Sequence, residues 1–202
     1  TTSSPINVTL VSYSMPIWML VIGRVWFGIT VNGRQIMGAL LSVLGVAVVL
    51  SRGDAQQLLG LHLVPGAWFM LLATIVWSVY SWLLARSGQT MPGQAEIRGN
   101  WAAFLMAQLV FGIGWSAVLV GGEAAAGDFV FTPTWTLAAA LLFIVLGPAI
   151  AAYRFWGEGV KRAGPATAGF FGNLIPLFTA LLSIPVLGEA PQLYHALAFA
   201  LI

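Results

Sequence analysis

Long, nearly uninterrupted apolar stretches run through the whole chain. Six of them reach or approach the roughly 20 residues that a helix needs to cross a bilayer, and a seventh is shorter. They cover residues 6–28, 35–51, 64–85, 100–120, 135–157, 166–188 and 192–202. Apolar and polar positions do not alternate with a period of two, as they would in a membrane barrel. The pattern therefore predicts an all-α membrane protein, a multi-helix transmembrane bundle whose helices satisfy their own backbone hydrogen bonds.

The charged residues between these stretches predict how the chain crosses the membrane. The loops after the first, third and fifth stretches carry five cationic residues, whereas the loops after the other three carry Arg52 alone. The five are Arg34, Arg86, Arg98, Lys161 and Arg162. Because cytoplasmic loops are enriched in Lys and Arg, we expect this first set of loops in the cytoplasm and Thr1 outside. The prediction is a multi-pass protein of the cell inner membrane.

Composition excludes a soluble domain. Hydrophobic residues make up 59% of the 202 residues and charged residues 7%, whereas a soluble domain is about 25% charged. The cationic residues are scattered and form no basic stripe, so the expected partner is the lipid bilayer and not nucleic acid. There is no cysteine, and neither His62 nor His195 has a second ligand at metal-binding spacing. No metal and no cofactor is expected.

The chain resembles itself when it is shifted by 160 residues. Two prolines and a glycine then fall on the same residue types: Pro5 on Pro165, Pro16 on Pro176, and Gly28 on Gly188. The two copies are five stretches apart, an odd number, so they must cross the membrane in opposite directions. Inverted repeats are the architecture of secondary transporters. By this symmetry, residues 65–160 should have a counterpart before Thr1, which predicts ten helices in the intact protein.

Three segments of the sequence resemble a known family. The run Gly164-Pro-Ala-Thr-Ala, with Asn173-Leu-Ile-Pro-Leu-Phe and Leu187-Gly-Glu-Ala-Pro after it, resembles the ninth helix of the EamA family in the drug/metabolite transporter superfamily. Tyr153-Arg-Phe-Trp-Gly-Glu-Gly-Val-Lys-Arg resembles the end of its eighth helix. Ser14-Met-Pro-Ile-Trp, with Ser4-Pro-Ile-Asn before it, resembles its fourth helix.

The resemblance implies a complete architecture. The chain would hold helices four to ten of ten, arranged as an inverted five-plus-five helix repeat around a central cavity. Residues 1–52 would be the last two helices of the first repeat, and residues 53–202 the second repeat with its last helix truncated. The family often ends its fourth helix in Leu-Gly-Glu. Here Ile29 follows Gly28, which departs from that pattern.

Polar and aromatic side chains inside the apolar stretches are the candidate substrate contacts. An unpaired hydroxyl or amide is costly in hydrocarbon, so these groups should face protein or a watery cavity. The candidates for substrate binding are Tyr13, Trp77, Tyr80, Ser81, Tyr153, Trp156 and Asn173. The resemblance implies that the helices carrying them line the central cavity. Hydrogen bonding between helices is the alternative for each of them.

Prolines and small residues suggest where the helices bend and pack. Pro16 and Pro176 take matching places in two stretches, and a proline inside a helix removes a backbone donor and kinks it, so both are predicted hinges. Gly38, Ser42 and Gly45 form a small-residue stripe at i, i+4 and i+7. Such a stripe serves close helix packing. Packing inside the protein is the preferred reading, and a homodimer seam is the alternative.

These features predict a membrane carrier that exports or exchanges small organic metabolites by alternating access. Aromatic lining suits amino acids, especially aromatic ones, or planar drug-like compounds, and efflux or amino acid export is the expected direction. No catalytic constellation is visible among the acids and histidines, so an enzyme is not predicted. The alternatives are a fragment of a polytopic membrane-embedded enzyme, which would need acids or histidines deep in further spans, and a structural membrane subunit, which would need neither cavity nor repeat.

Overall fold

The computed structural model describes residues 10–54, 56, 65–127, 132–187 and 193–202, with the backbone alone for residues 180 and 183–187. All regular structure in these ranges is helical, and five helices are long and apolar enough to cross a membrane. This confirms the predicted all-α membrane bundle. Several features of the sequence lie outside the described residues: the start of the first apolar stretch with Pro5, His62, and the repeat partner Gly188.

The helices of the described residues follow one another along the chain in a simple order. They are α1 (Met15–Phe27), α2 (Gly33–Leu50), α3 (Pro65–Ala85), α4 (Trp101–Ala126), α5 (Trp135–Ile144), a π-helix (Val145–Ala152), α6 (Tyr153–Ala163), α7 (Pro165–Gly172), α8 (Ile175–Leu187) and α9 (Leu193–Leu201). Two short helices, Ser87–Thr90 and Ala95–Gly99, lie between α3 and α4. The segment from α5 to α6 is continuous and forms one membrane-length element, Trp135–Ala163.

Two helices run further than the sequence pattern predicts. The helix α4 continues past the predicted stretch 100–120 through the paired glycines at 121 and 122, and ends before Gly127, whose φ of 80° is left-handed. Glycine is tolerated inside membrane helices, whereas a left-handed glycine closes a helix C-terminus. The α5–α6 element continues to Ala163 and stops before Gly164, whose φ is 85°. In both cases the glycine that stops the helix is the one with positive φ.

Two of the predicted stretches are broken where a kink is expected. Helical residues at 10–12 are followed by a turn at Tyr13 and Ser14, and then by α1. Likewise α7 is followed by a turn at Asn173 and Leu174, and then by α8. Both bounds of α8 lie 160 residues after the bounds of α1. The two breaks therefore occupy the same register in the two segments that the sequence pairs.

The paired prolines lie at the starts of new helices. Pro16 is the second residue of α1, and Pro176 is the second residue of α8. At these positions a helix has no partner for the backbone N–H, so proline costs no hydrogen bond. The prediction of a kink inside a continuous helix is thus wrong, because each proline lies at the start of a new helix that follows a turn. Their role as hinges stays a prediction. Pro148 does lie inside a helix, within the π-helical segment.

The chain packs as two compact units, residues 1–85 with 159–202, and residues 86–158. In the first unit α1 packs against α3 and α7, and α2 packs against α9. The small-residue stripe of α2 lies in these contacts. A β-carbon at Gly45 would lie 3.0 Å from the carbonyl oxygen of Ala198 on α9, and one at Gly38 would lie 3.6 Å from the Phe170 ring of α7. The stripe is therefore an internal packing surface, and a homodimer stays a prediction.

In the second unit, side chains at the start of α4 fix its geometry. The side-chain oxygen of Asn100 accepts hydrogen bonds from the backbone N–H groups of Ala102 and Ala103, at 3.0 and 3.2 Å. This is the preferred cap for a helix N-terminus. The guanidinium of Arg154, at the start of α6, lies 5.4 Å from the centre of the Trp101 ring. A cation over an indole face is attractive, so this contact joins α4 to α6.

The orientation of the chain can be tested because it contains no cysteine. We expect a single cysteine at Gln94→Cys to be shielded from a membrane-impermeant maleimide in intact cells and one at Thr132→Cys to be labelled. Both positions are exposed, and the excess of Lys and Arg places only the first in the cytoplasm. Labelling after cell lysis is the control for reactivity. Labelling of Gln94→Cys in intact cells would reverse the predicted orientation.

Candidate functional site

The two broken helices cross next to their breaks. A β-carbon at Gly169 of α7 would lie 3.0 Å from Cγ of Met19 and 3.5 Å from Cα of Pro16. One at Gly172, immediately before the break, would lie 2.5 Å from Cε of Met15. Pro16 and Met19 are fully buried. The absence of side chains at the two glycines therefore lets the start of α1 lie directly against α7, and brings the two breaks close together.

Asn173, in the second break, is sealed inside the protein. None of its surface is exposed, and its side-chain amide donates a hydrogen bond of 2.7 Å to Oγ of Ser42 on α2. Its backbone N–H donates to the carbonyl of Phe170 at 3.1 Å. Its Oδ1 has no partner among the described residues, and exchanging the two amide atoms would only move the deficit to the nitrogen. The hydrogen bond between helices, the alternative to substrate binding, is present in this structure.

The first break is bridged by polar side chains. The hydroxyl of Ser14 donates to the carbonyl of Val11 at 2.6 Å, and the indole nitrogen of Trp18 donates to the Ser14 hydroxyl at 3.1 Å. These bonds satisfy polar groups where the helical ladder is interrupted. Tyr13, a predicted site residue, lies in the same turn and is partly buried. Sequence reasoning missed Ser14 and Trp18, although their i, i+4 spacing beside a proline was an available signal.

The predicted aromatic cluster of α3 divides into two environments. The rings of Trp77 and Tyr80 are in contact, with centres 5.3 Å apart at 44°, and both side chains are partly exposed. Ser81 is fully buried, and its hydroxyl donates to the carbonyl of Trp77 at 2.8 Å. Thr74 and Ser78 are buried on that same side and each also donates to a carbonyl of its own helix at 2.8 Å. The aromatic pair is therefore the part of the cluster that a solute can reach.

Trp82 joins α3 to α1. Its indole nitrogen donates to the carbonyl of Met19 at 2.8 Å, and its ring stacks on Phe27 with centres 5.2 Å apart. The ring lies across Gly23, where a β-carbon would overlap it and lie 3.0 Å from Cε2. The sequence predicts Trp82 as an interfacial anchor or a packing residue, and the structure shows packing. The C-terminal halves of α1 and α3 are consequently side by side.

Tyr153 and Trp156 lie on the first turn of α6, within the second compact unit. Tyr153 is 37% exposed and Trp156 is partly buried. The other predicted site residues, Tyr13, Trp77, Tyr80, Ser81 and Asn173, belong to the first unit. The convergence of all of them on one cavity stays a prediction.

A hollow of about 400 Å³ opens beside the first break. Ser14 and Trp18 line it from the α1 side, Val43 from α2, and Ala67 and Trp68 from α3. Its volume lies within the range of small-molecule sites, roughly 300–1,000 Å³. None of the predicted site residues lines this hollow. Its lining is almost wholly apolar and includes two indoles, and its one hydroxyl, that of Ser14, already donates to Val11 and accepts from Trp18.

Comparison with known proteins assigns this membrane bundle to a protein family. The model of the EamA-like transporter family matches residues 1–51 and 64–202. The chain belongs to the EamA-like transporter family. It is therefore a multi-pass membrane protein of this family, which confirms the resemblance stated from the three sequence segments.

Two curated relatives carry only the general description. The chain is 20% identical over 190 residues to the uncharacterized transporter YyaM of Bacillus subtilis, covering 91% of this chain and 57% of the relative. It is 25% identical over 201 residues to an uncharacterized transporter of Archaeoglobus fulgidus, covering 97% of this chain and 62% of the relative. The chain thus spans about three-fifths of the length of both relatives.

A solved crystal structure shows the same fold. It is 22% identical in sequence and matches with a TM-score of 0.69, covering 99% of this chain and 65% of the other. Identity at that level supports the fold alone. The fold of this EamA-like chain is thus similar to one that has been observed experimentally.

Proposed function

We propose that this EamA-like transporter moves small organic metabolites across the cell inner membrane by alternating access. The observation that carries the proposal is the crossing of two broken helices at matching register, with α1 and α8 offset by 160 residues at both ends. Inverted repeats with discontinuous helices near the bilayer midplane are the architecture in which one repeat rocks against the other around a binding site. The family membership supports transport, and the paired breaks support this mechanism.

In this proposal the two turns, and not the prolines, supply the flexibility. Proline fixes its own φ, so Pro16 and Pro176 stiffen the first turn of α1 and of α8. Bending is then confined to Tyr13 and Ser14 in one helix and to Asn173 and Leu174 in the other. Hinges are typically a few residues at element ends that absorb a large change in backbone angles. The prolines would define where each hinge stops.

The proposed substrates are amino acids, particularly aromatic ones, or planar drug-like compounds, and the proposed direction is export. Trp77 and Tyr80 offer a partly exposed aromatic pair on α3, and Tyr13 offers a phenol in the first break. Aromatic faces bind planar solutes, while hydroxyl and indole groups supply a few hydrogen bonds that fix orientation. Ser81 and Asn173 are buried and hydrogen-bonded within the protein in this conformation, so their part in the proposal is to hold the helices that present the aromatic groups.

Transport by aromatic-substituted variants tests the proposal. With the intact protein, including any segments beyond residues 1–202, in liposomes and aromatic amino acids as substrates, we expect Trp77→Ala to raise the apparent KM roughly tenfold, since an aromatic contact contributes up to about 1.5 kcal/mol beyond its burial. The matched control is Trp115→Ala, which removes a 71% exposed indole from α4. That variant should transport normally.

A conservative variant separates substrate contact from folding. Trp77→Phe keeps an aromatic face beside Tyr80 and should restore most of the lost affinity, while the amount of folded protein is followed by size-exclusion chromatography. If Trp77→Ala and the control transport alike, the aromatic pair is not the binding site. If no aromatic solute is transported by the unaltered protein, the proposed substrate class is wrong.

A further inference from the structure

An open groove lies between the second half of α1 and the first half of α2. The two helices are joined by residues 28–32, and the groove between them holds a hollow of about 340 Å³. Its lining is aliphatic with the exception of Arg24. Three of the lining side chains, Val25, Ile36 and Leu40, are 68%, 50% and 54% exposed. The groove is therefore apolar, and the described protein atoms leave it uncovered.

Arg24 is the one polar group of this groove. It lies in the last turn of α1 and is exposed. It has no hydrogen-bond or ion-pair partner among the described residues, and the first 53 residues contain no Asp or Glu. Near a span end, an arginine can lay its stem along apolar surface and hold its guanidinium at headgroup level. An unpaired guanidinium beside hydrocarbon is costly, so this position favours an anion.

The same end of the helix pair carries further positive charge. Arg34 lies in the first turn of α2 and is exposed. It is at the same end as Arg24, because α1 ends there and α2 begins there. The N-terminus of α2 adds the partial positive charge of a helix start. A positively charged rim thus lies next to an apolar hollow. The rim matches the anionic headgroup of a phospholipid and the hollow matches its acyl chain, and few other ligands combine both.

We propose that the groove between α1 and α2 binds an anionic glycerophospholipid. One acyl chain lies in the aliphatic hollow, and the phosphate pairs with the guanidinium of Arg24, whose planar donors can hold two phosphate oxygens at once. Arg34 adds attraction for the net negative headgroup. Basic pockets between membrane helices are known binding places for anionic headgroups. A zwitterionic lipid binds less tightly, since its own ammonium group already neutralises the phosphate.

A protein occupant fits the groove less well. Another helix laid into it would bury Arg24 against apolar side chains unless it brought a carboxylate. A second copy packed by a two-fold axis would use the same surface on both copies. It would therefore bring one Arg24 towards the other, where like charges repel. A lipid supplies both the apolar chain and the anion in one molecule.

Native mass spectrometry of the protein with matched lipids tests this site. Phosphatidylglycerol and phosphatidylcholine with the same acyl chains are titrated into the protein in neutral detergent. We expect about fivefold more bound phosphatidylglycerol, since one Arg near the surface contributes on the order of a fivefold preference. Arg24→Gln should remove most of this preference, and the remaining Arg34 should keep a smaller part of it. Arg52→Gln removes the same charge from the opposite end of α2 and should keep the preference.

A second variant tests the apolar half of the site. Leu40→Trp fills the hollow and should reduce retention of both lipids, while an unchanged melting temperature in neutral detergent shows that the protein is folded. Equal binding of the two lipids by the unaltered protein, or a preference that is undiminished in Arg24→Gln, overturns the proposal. So does a disulfide formed between two copies through Ile36→Cys that phosphatidylglycerol does not displace, because the occupant is then a second copy.

Discussion

Adding one methyl group at Gly23 should lower the melting temperature of the protein in detergent by about 6–12 °C. The β-carbon of Gly23→Ala overlaps the indole of Trp82, and that ring is held by its hydrogen bond to Met19 and by its stacking on Phe27. Overpacking costs about 1–3 kcal/mol, and a displaced indole also loses a buried hydrogen bond. A sum of about 3 kcal/mol corresponds to that fall at roughly 2–4 °C per kcal/mol. The measurement is thermal unfolding followed by tryptophan fluorescence.

Two comparisons show whether the clash is the cause. Gly112→Ala is the matched control, because a β-carbon there meets nothing within 4 Å and alanine is the better helix former. It should leave the melting temperature unchanged or slightly higher. In the background of Trp82→Phe, whose smaller ring leaves room, Gly23→Ala should cost much less. If Gly23→Ala lowered the melting temperature as much in that background, the steric clash with the indole would not be the cause.

Replacing the amide of Asn173 in the second break by a carboxylate should destabilise the protein at least as much. Asn173→Asp keeps the shape of the side chain but puts a negative charge where no surface is exposed and where Ser42 is the recorded partner. An Asp at the centre of a membrane helix costs about 2.5–3.5 kcal/mol. We expect a folded fraction at neutral pH that is lower by a factor of about 100 under half-denaturing conditions. Unfolding titrations in denaturant would measure it.

The same change from Asn to Asp at the start of a helix should have the opposite effect on stability. Asn100 is exposed and accepts hydrogen bonds from the first backbone N–H groups of α4. Asp caps as well as Asn, and a negative charge at that end gains about 0.3–1 kcal/mol from the helix dipole. Asn100→Asp should therefore be neutral or stabilising. If Asn173→Asp were equally harmless, the second break would be open to water and not sealed.

The kind of long elements could be predicted because it depends on local sequence. A run of apolar residues must satisfy its backbone inside one helix, whatever packs against it. Helix ends were less accessible, since the paired glycines at 121 and 122 and the glycine at 127 look alike in sequence. Only the last has positive φ. The turn at Asn173 was also hidden, because proline predicts a disturbed helix without saying whether the helix bends or starts again.

The contacts of the candidate site depend on residues far apart in the chain, and here the sequence was least informative. The i, i+3 spacing of Trp77 and Tyr80 places them on one face of α3, and the structure shows their rings in contact there. Nothing local relates Trp82 to Gly23, or Asn173 to Ser42 across 131 positions. Each pair depends on how helices cross, which is set by small residues and side-chain shape together. In the sequence, a fully buried amide and a partly exposed indole are both simply polar or aromatic residues in an apolar stretch. Burial in the structure therefore distinguishes candidate substrate contacts that residue spacing does not.

The π-helical segment at Val145–Ala152 bears on how this chain tolerates insertions and deletions. A π-helix closes each hydrogen bond over five residues where an α-helix uses four, so the segment holds residues that α-helical geometry does not require. Losing one residue there would let the helix tighten without being cut. Because a π-turn holds about one residue more than an α-turn, the side chains beyond it would keep nearly the same directions about the axis. Tyr153 and Trp156 would stay on an intact helix and on the same face of it, so this segment can absorb the loss of one residue without re-aiming them.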